Sequence, residues 1–265
     1  MVPLRSFGDE LQFELMSSRG IDLESRLGES LKNGSEFFEL PHLKNNLVWK
    51  AAAAFYASAG IEPAIKIRLT KNIPLGAGLG GGSSNAAATL LALNRLHRYP
   101  LTSKKLMKIG SKLGSDVPFF VCGKCSFVSG AGERVRPAPF SPSGWFVIVN
   151  PRFSIETKWA YGRFDQLNSL TKQTGNVRKK RFFSGSKTWK AMKEFCENDF
   201  KKVIYPAYPI LEEADQKLLT LGANTASLSG SGPSLFGVFE TESKAKKAAA
   251  AFDKRRWLTW ITRGA

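Results

Sequence analysis

A chain of 265 residues, 43% of them hydrophobic, is long enough to bury one large or two modest cores and reads as globular. Its 39 Lys and Arg against 22 Asp and Glu give a formal charge of +17, which favours anionic partners without choosing among nucleotide, nucleic acid and membrane surface. Three cysteines and no signal-like apolar segment over Met1 to Glu10 suit a reducing cytosol, and no run approaches the ~20 apolar residues of a membrane span.

Leu11, Phe13 and Leu15 alternate with polar neighbours, so the chain opens with a strand. The polar stretch Ser17 to Glu36 reads as a surface connection with room for a short strand or a helical turn. Asn45-Asn46-Leu47-Val48 leads into an alanine-rich helix ending at Gly60, with Asn46 suited to cap it. Ile65, Ile67 and Leu69 alternate with Lys66 and Arg68 as a second strand, at whose end Lys71 reads as solvated.

Next comes a glycine loop, Pro74-Leu75-Gly76-Ala77-Gly78-Leu79-Gly80-Gly81-Gly82-Ser83-Ser84, running into a helix marked by Ala87, Leu90, Leu91 and Asn94, with Ser83, Ser84 and Asn85 available as caps. Such a loop lets backbone approach a ligand, and the unpaired N–H groups of the helix start point the same way, so the order strand, loop, helix favours a phosphate site over a mere tight turn. Gly76 to Gly81 formally satisfies the dinucleotide G-x-G-x-x-G pattern, but the acidic ribose partner about 20 residues on is missing: no Asp or Glu lies between Glu62 and Asp116. The Walker pattern fails as well, because Ser83 and not Lys follows Gly82.

Leu101 to Leu113 predicts a basic amphipathic helix. Asp116 follows in Gly114-Ser115-Asp116-Val117-Pro118-Phe119-Phe120, where local chemistry alone reads it as a helix cap with Pro118 in the first turn. Cys122 and Cys125 form a single C-x-x-C that His42 and His97 do not complete as a metal site, so they read as small buried residues. Cys125 to Val128 and Trp145 to Val149 are strand-like, and the prolines and glycine of 137–144 mark a domain boundary, giving domains 1–143 and 144–265. Gln166 to Lys187, with Arg178-Lys179-Lys180-Arg181 at its centre, reads as a solvated loop. Helices are expected over Thr188 to Phe200 and Ile210 to Leu221, joined through Asn198-Asp199-Phe200 and a turn at Pro206 to Pro209. Strands at Thr225 to Leu228 and Leu235 to Phe239 flank a second glycine loop, Ser229-Gly230-Ser231-Gly232-Pro233-Ser234, before a basic helix (Ser243 to Phe252) and a last strand (Leu258 to Thr262).

Gly78 to Ala87, Gly114 to Phe120 and Leu228 to Ser234, in that order, resemble the three motifs of the GHMP kinases, and the first resembles the branch acting on 4-diphosphocytidyl-2-C-methyl-D-erythritol. The resemblance implies an α+β fold with a ribosomal protein S5-like N-terminal ATP-binding domain and a ferredoxin-like C-terminal domain. It also implies MgATP-dependent phosphorylation of that compound's 2-hydroxyl in the non-mevalonate isoprenoid (terpenoid) pathway. Asp116 is then the catalytic base, and residues 74–84 bind the nucleotide together with Asn46 and Lys71. Thr157, Tyr161, Ser229, Gly230, Ser231 and Gly232 lie on the substrate side, Tyr161 where an aromatic would stack on cytosine. ATP and Mg²⁺ are the implied cofactors, and a cytidyl diphosphate is the partner. Neither membrane nor, despite the charge, nucleic acid is expected; the protein would be cytoplasmic, a monomer or a homodimer. The family's opening strand, Pro-Ala-Lys-Leu-Asn-Leu, and the Asp-Gly-Tyr-His-like turn after it have no counterpart in Met1 to Arg5, so the chain is expected to be an N-terminally shortened member without the family's active-site Lys. Two alternatives follow: a GHMP kinase for another small alcohol, and a non-catalytic nucleotide- or nucleic-acid-binding protein on this scaffold.

Overall fold

The structure, a computed structural model, describes residues 1–32, 42–139, 143–171 and 196–264. The chain divides into two compact units, one of residues 1–75 and 80–141, the other of 76–79 and 142–264.

In the first unit a short strand β1 (Leu4–Arg5) is followed by β2 (Glu10–Leu15), β3 (Gly20–Leu27) and β4 (Ala64–Lys71). β4 is the centre of a three-stranded sheet, antiparallel to β2 and parallel to β3. Ile65, Ile67 and Leu69 are buried on one face, with Lys66 and Arg68 on the other pairing to Asp22, Glu24 and Glu14. The stretch expected to be a surface connection thus contains an eight-residue strand, β3, and one helical turn, α1 (Glu29–Lys32). Ile21, Leu23 and Leu27 carry the two-residue period there, but the charged alternates that pair across the sheet make the segment read as polar.

Helix α2 (Leu47–Ala59) starts where Asn46 Oδ1 accepts from Val48 N at 3.0 Å and ends at Gly60 in the left-handed region. Val48, Ala51, Ala52 and Phe55 recur at helical spacing and are fully buried against the sheet and against α3 (Gly81–Leu96), whose Ala86, Ala87, Leu90 and Leu93 complete the core. α4 (Ser103–Leu113), capped by Thr102, and α5 (Val117–Cys122) pack on α3. Gly130 to Glu133 turn the chain between β5 (Ser126–Ser129) and β6 (Arg134–Pro137), a hairpin whose second strand was not expected because it is too short and basic to carry a strand period.

In the second unit β7 (Trp145–Asn150), β8 (Thr225–Leu228), β9 (Leu235–Phe239) and β10 (Leu258–Gly264) lie in the order β10-β7-β9-β8, all neighbours antiparallel. Numbered within the unit, that is 4-1-3-2, the ferredoxin-like order. Helices α6 (Thr157–Thr171), α7 (Lys201–Ala207), α8 (Pro209–Thr220) and α9 (Glu242–Ala250) accompany it, α8 and α9 packing on the sheet around Leu211, Leu218, Phe239 and Ala248. α7 was not expected: Pro206 reads as a turn, yet it sits at the helix's penultimate position, where the ring interrupts only a last backbone bond. The expected helix from Thr188 lies largely outside the described residues, as does the basic run 178–181, and its expected end, Asn198 to Phe200, is a turn. Among the described residues no helix is long and apolar enough to cross a membrane.

Candidate active site

The glycine loop leaves β4 and enters α3 without a side-chain cap. Ser83, Ser84 and Asn85, expected as caps, lie inside the helix, because Gly80 occupies the cap position and has no side chain to offer. Ser84 instead donates back to Gly81 O at 2.9 Å, and the Ser83 hydroxyl has no partner among the described residues. The first turn of α3 is therefore without a side-chain cap, at the positive end of a 16-residue helix. α5 closes in on this turn: a Cβ on Gly80 would lie 2.9 Å from the Phe120 ring, and one on Gly114 3.5 Å from Ser83 Oγ.

Pro74 is buried and Leu75 half-buried ahead of the turn. Lys71, read as a solvated strand end, is instead buried and ion-paired with Asp9, its side chain 4% exposed and that of Asp9 0%. Its ammonium lies at the start of α3, 3.3 Å from where a Gly81 Cβ would stand. Asn46 is buried, caps α2, and reaches Ser25 Oγ at 3.5 Å through Nδ2.

Asp116 precedes α5 at the cap position, but its backbone is already helical and its side chain caps nothing. The carboxylate is half-buried, and among the described residues nothing donates to it. Desolvation pushes its pKa above the ordinary Asp value. Its backbone is held from behind by Gly132, whose φ of +99° and contact with Ser115 exclude a side chain: a Cβ would fall 2.0 Å from Ser115 O. The local cap reading of Asp116 thus fails on geometry: the side chain at the head of α5 is left half-buried, with its pKa raised.

In the second unit Ser229–Ser234 is the turn between β8 and β9. Gly232 N donates to Ser229 O at 2.9 Å and Ser229 N to Ser234 O at 2.8 Å. It holds the loop residues 76–79: Ser229 Oγ donates to Gly78 O at 2.9 Å and Ser234 N to Ala77 O at 3.2 Å. Gly78, at φ +73°, meets Ser229 O and Gly232 O so closely that a Cβ would fall 2.4 and 2.6 Å from them. Leu79 is half-buried and Gly76 is exposed against Ser154. Ser231 and Thr157 share a hydroxyl contact of 3.3 Å, while Gly230 O accepts from Asn198 Nδ2 at 2.8 Å. Tyr161 is 54% exposed, with its ring edge-on to Phe200 at 4.8 Å, so it is not a core residue. Both rings line a cavity of about 440 Å³ together with Phe164, Cys196, Asn198 and Phe236. Among the described residues no group of three His, Cys, Asp or Glu could hold a metal ion.

Three residues of these surroundings escaped the sequence. Asp9 sits in an unremarkable Gly-Asp-Glu, yet a lysine in an acid-free stretch needs a distant carboxylate if it is buried, and that was the available signal. Gly132 carried no signal beyond its turn. Asn198 read as a connector, but its side chain donates to Leu228 O and Gly230 O, both at 2.8 Å.

A family model of the GHMP kinases N terminal domain matches residues 46–124, and one of the GHMP kinases C terminal domain matches 189–257. The 4-diphosphocytidyl-2-C-methyl-D-erythritol kinase of Syntrophus aciditrophicus (strain SB) is 41% identical over 260 residues, covering 97% of this chain and 87% of that protein. The chain belongs to the GHMP kinases, in the 4-diphosphocytidyl-2-C-methyl-D-erythritol kinase family. Another family member, from Geobacter sulfurreducens, is 38% identical over 84% of the chain and 78% of its own length. A crystal structure of a 4-(cytidine 5'-diphospho)-2C-methyl-D-erythritol kinase superposes with a TM-score of 0.70 at 28% identity, over 97% of this chain and 87% of the other. The two-domain α+β GHMP fold and the class of small-molecule kinase follow from membership.

Proposed function

We propose that this GHMP kinase transfers the γ-phosphoryl group of ATP to the 2-hydroxyl of 4-diphosphocytidyl-2-C-methyl-D-erythritol, a cytoplasmic step of the non-mevalonate isoprenoid pathway. The observation that carries the reading is the uncapped start of α3 with the head of α5 packed on it, where Gly114 and Phe120 approach the turn and Asp116 lies between them in sequence with no donor among the described residues. Phosphoryl transfer asks chiefly for position and for neutralisation of charge on the phosphates. The amides of Gly81, Gly82 and Ser83 take the triphosphate, and Asp116 accepts the proton of the attacking hydroxyl, a role worth ~10²–10⁴ in rate. Desolvation raises its pKa above the ordinary Asp value, which strengthens it as a proton acceptor.

Mg²⁺ keeps several waters and asks for only one or two protein oxygens beside the phosphates. The Ser83 hydroxyl, in the first turn of α3, fits that demand and would hold it. The ion would supply charge neutralisation on the β- and γ-phosphates. Tyr161, at the rim of an aromatic cavity, is the candidate stacking partner for the cytosine ring, with Thr157 and Ser229 to Gly232 as the polar side of that subsite. Asn46 and Lys71 belong to the nucleotide side through the elements they fix.

The test is ADP release from MgATP with and without the cytidyl substrate, run beside a version of the chain carrying a family-type N-terminal strand. Substrate-dependent turnover in either supports the reading. Silence in both, or equal turnover with unrelated small alcohols, overturns it.

A further inference from the structure

Asp9 takes no part in the chemistry above, yet it is the most completely engaged carboxylate among the described residues. Oδ1 accepts from Asn72 N at 2.7 Å and from Ile73 N at 2.8 Å; Oδ2 accepts from Asn85 Nδ2 at 2.8 Å and from the Lys71 ammonium. Four donors fill the lone-pair sites of one carboxylate, and the side chain is 0% exposed. It has no capacity left for a metal or a substrate.

Its donors come from the two ends of the glycine loop. Lys71, Asn72 and Ile73 are where the chain leaves β4, and Asn85 lies in the second turn of α3. Lys71 is itself tied to β3's exit, since Gly28 N donates to Lys71 O at 2.7 Å. Asp9 thus joins the start of β2, the end of β4 and the head of α3 at one buried point. It also neutralises the Lys71 ammonium, which stands beside Gly81, so Lys71 is not a free phosphate ligand.

We propose that Asp9 is a positioning residue of the nucleotide site: it fixes the span between β4 and α3 so that the first-turn amides of α3 are aimed in advance at a phosphate. The inference rests on the nucleotide reading of that loop. Preorganised donors lose much of their value when their supports slacken, since the geometry must then be restored at the expense of binding. A charged hydrogen-bond network that supports a loop in this way is expected to act on affinity as well as on stability.

Isothermal titration of MgADP into the wild-type chain, Asp9→Asn and Asn85→Ala, each below its own melting temperature, separates the possibilities. Asp9→Asn is expected to weaken MgADP binding about tenfold or more, and Asn85→Ala, which removes one of four donors, by a few fold in the same direction. Should Asp9→Asn fail to fold, Asn85→Ala decides alone. Lower melting temperatures with MgADP affinity unchanged within twofold would make Asp9 a fold residue only and overturn the proposal, leaving the function intact. No MgADP binding by the wild-type chain would overturn the nucleotide reading itself and this proposal with it.

Discussion

Asp9 and Asp116 lie in the same unit, the first bonded to the head of α3 and the second at the head of α5, which packs on α3, and they are opposite kinds of carboxylate. Asp9 is sealed from water with four donors and a paired lysine. Asp116 is half-exposed, lacks a donor among the described residues, and has its pKa raised by desolvation. A saturated carboxylate stabilises the fold because its charge is compensated in place; an unsaturated one costs stability and is kept where reactivity needs it. Hydrogen-bond satisfaction, more than charge, separates the scaffold acid Asp9 from Asp116, the acid proposed for the chemistry.

Substitutions that swap these roles test the contrast. The largest expected effect is Asp116→Asn, which should reduce phosphoryl transfer by ~10²–10⁴ while leaving MgATP affinity within a few fold. Steady-state rates and a nucleotide titration on the same preparation measure both.

Lys71→Met should do the reverse. It strands a buried carboxylate, and loss of about 3–5 kcal/mol is expected in urea unfolding, with the midpoint lowered at unchanged slope. A loss under 1 kcal/mol would mean that the Asp9 site opens to water.

Smaller is Asn46→Ala, which removes the cap of α2 for about 1 kcal/mol of stability. If Asn46 also meets the nucleotide, MgADP affinity falls too; a cap alone leaves it unchanged.

The smallest effect sharpens the comparison through pH. Because the folded Asp116 pKa is raised, its contribution to stability is fully present below the unfolded value of ~3.9 and is lost as pH rises through the folded one. Asp116→Asn should therefore melt slightly higher than wild type at pH 7, and the gap should close near pH 3.5. The same sign makes the wild-type rate fall as the base protonates on acidification.

Much of this was legible in residues. The two-residue period of Ile65 to Leu69, the alanine face of α3 and the glycine run between them gave strand, loop and helix in order, because each signal is local. The three separated motifs carried the family. Illegible were interactions that join distant residues. Nothing near Lys71 says that Asp9 returns to it across 62 positions, and nothing near Asp116 says that Gly132 must lie against Ser115. β3 and β6 were hidden for a related reason, since their charged positions find partners only once the sheet or hairpin exists. Even Asp116 was misjudged from its neighbours: Asp ahead of Pro118 has the composition of a cap, whereas its backbone angles of −88° and −13° place it past the cap geometry.

The most direct test of the central claim is a single-turnover measurement of γ-phosphate transfer from MgATP to the cytidyl-erythritol substrate, followed against pH for wild type and Asp116→Asn. The account predicts transfer by the wild type with an acidic limb set by one ionisation, and residual, pH-flat transfer in the variant. Transfer by Asp116→Asn at the wild-type rate, with the same acidic limb, would contradict it.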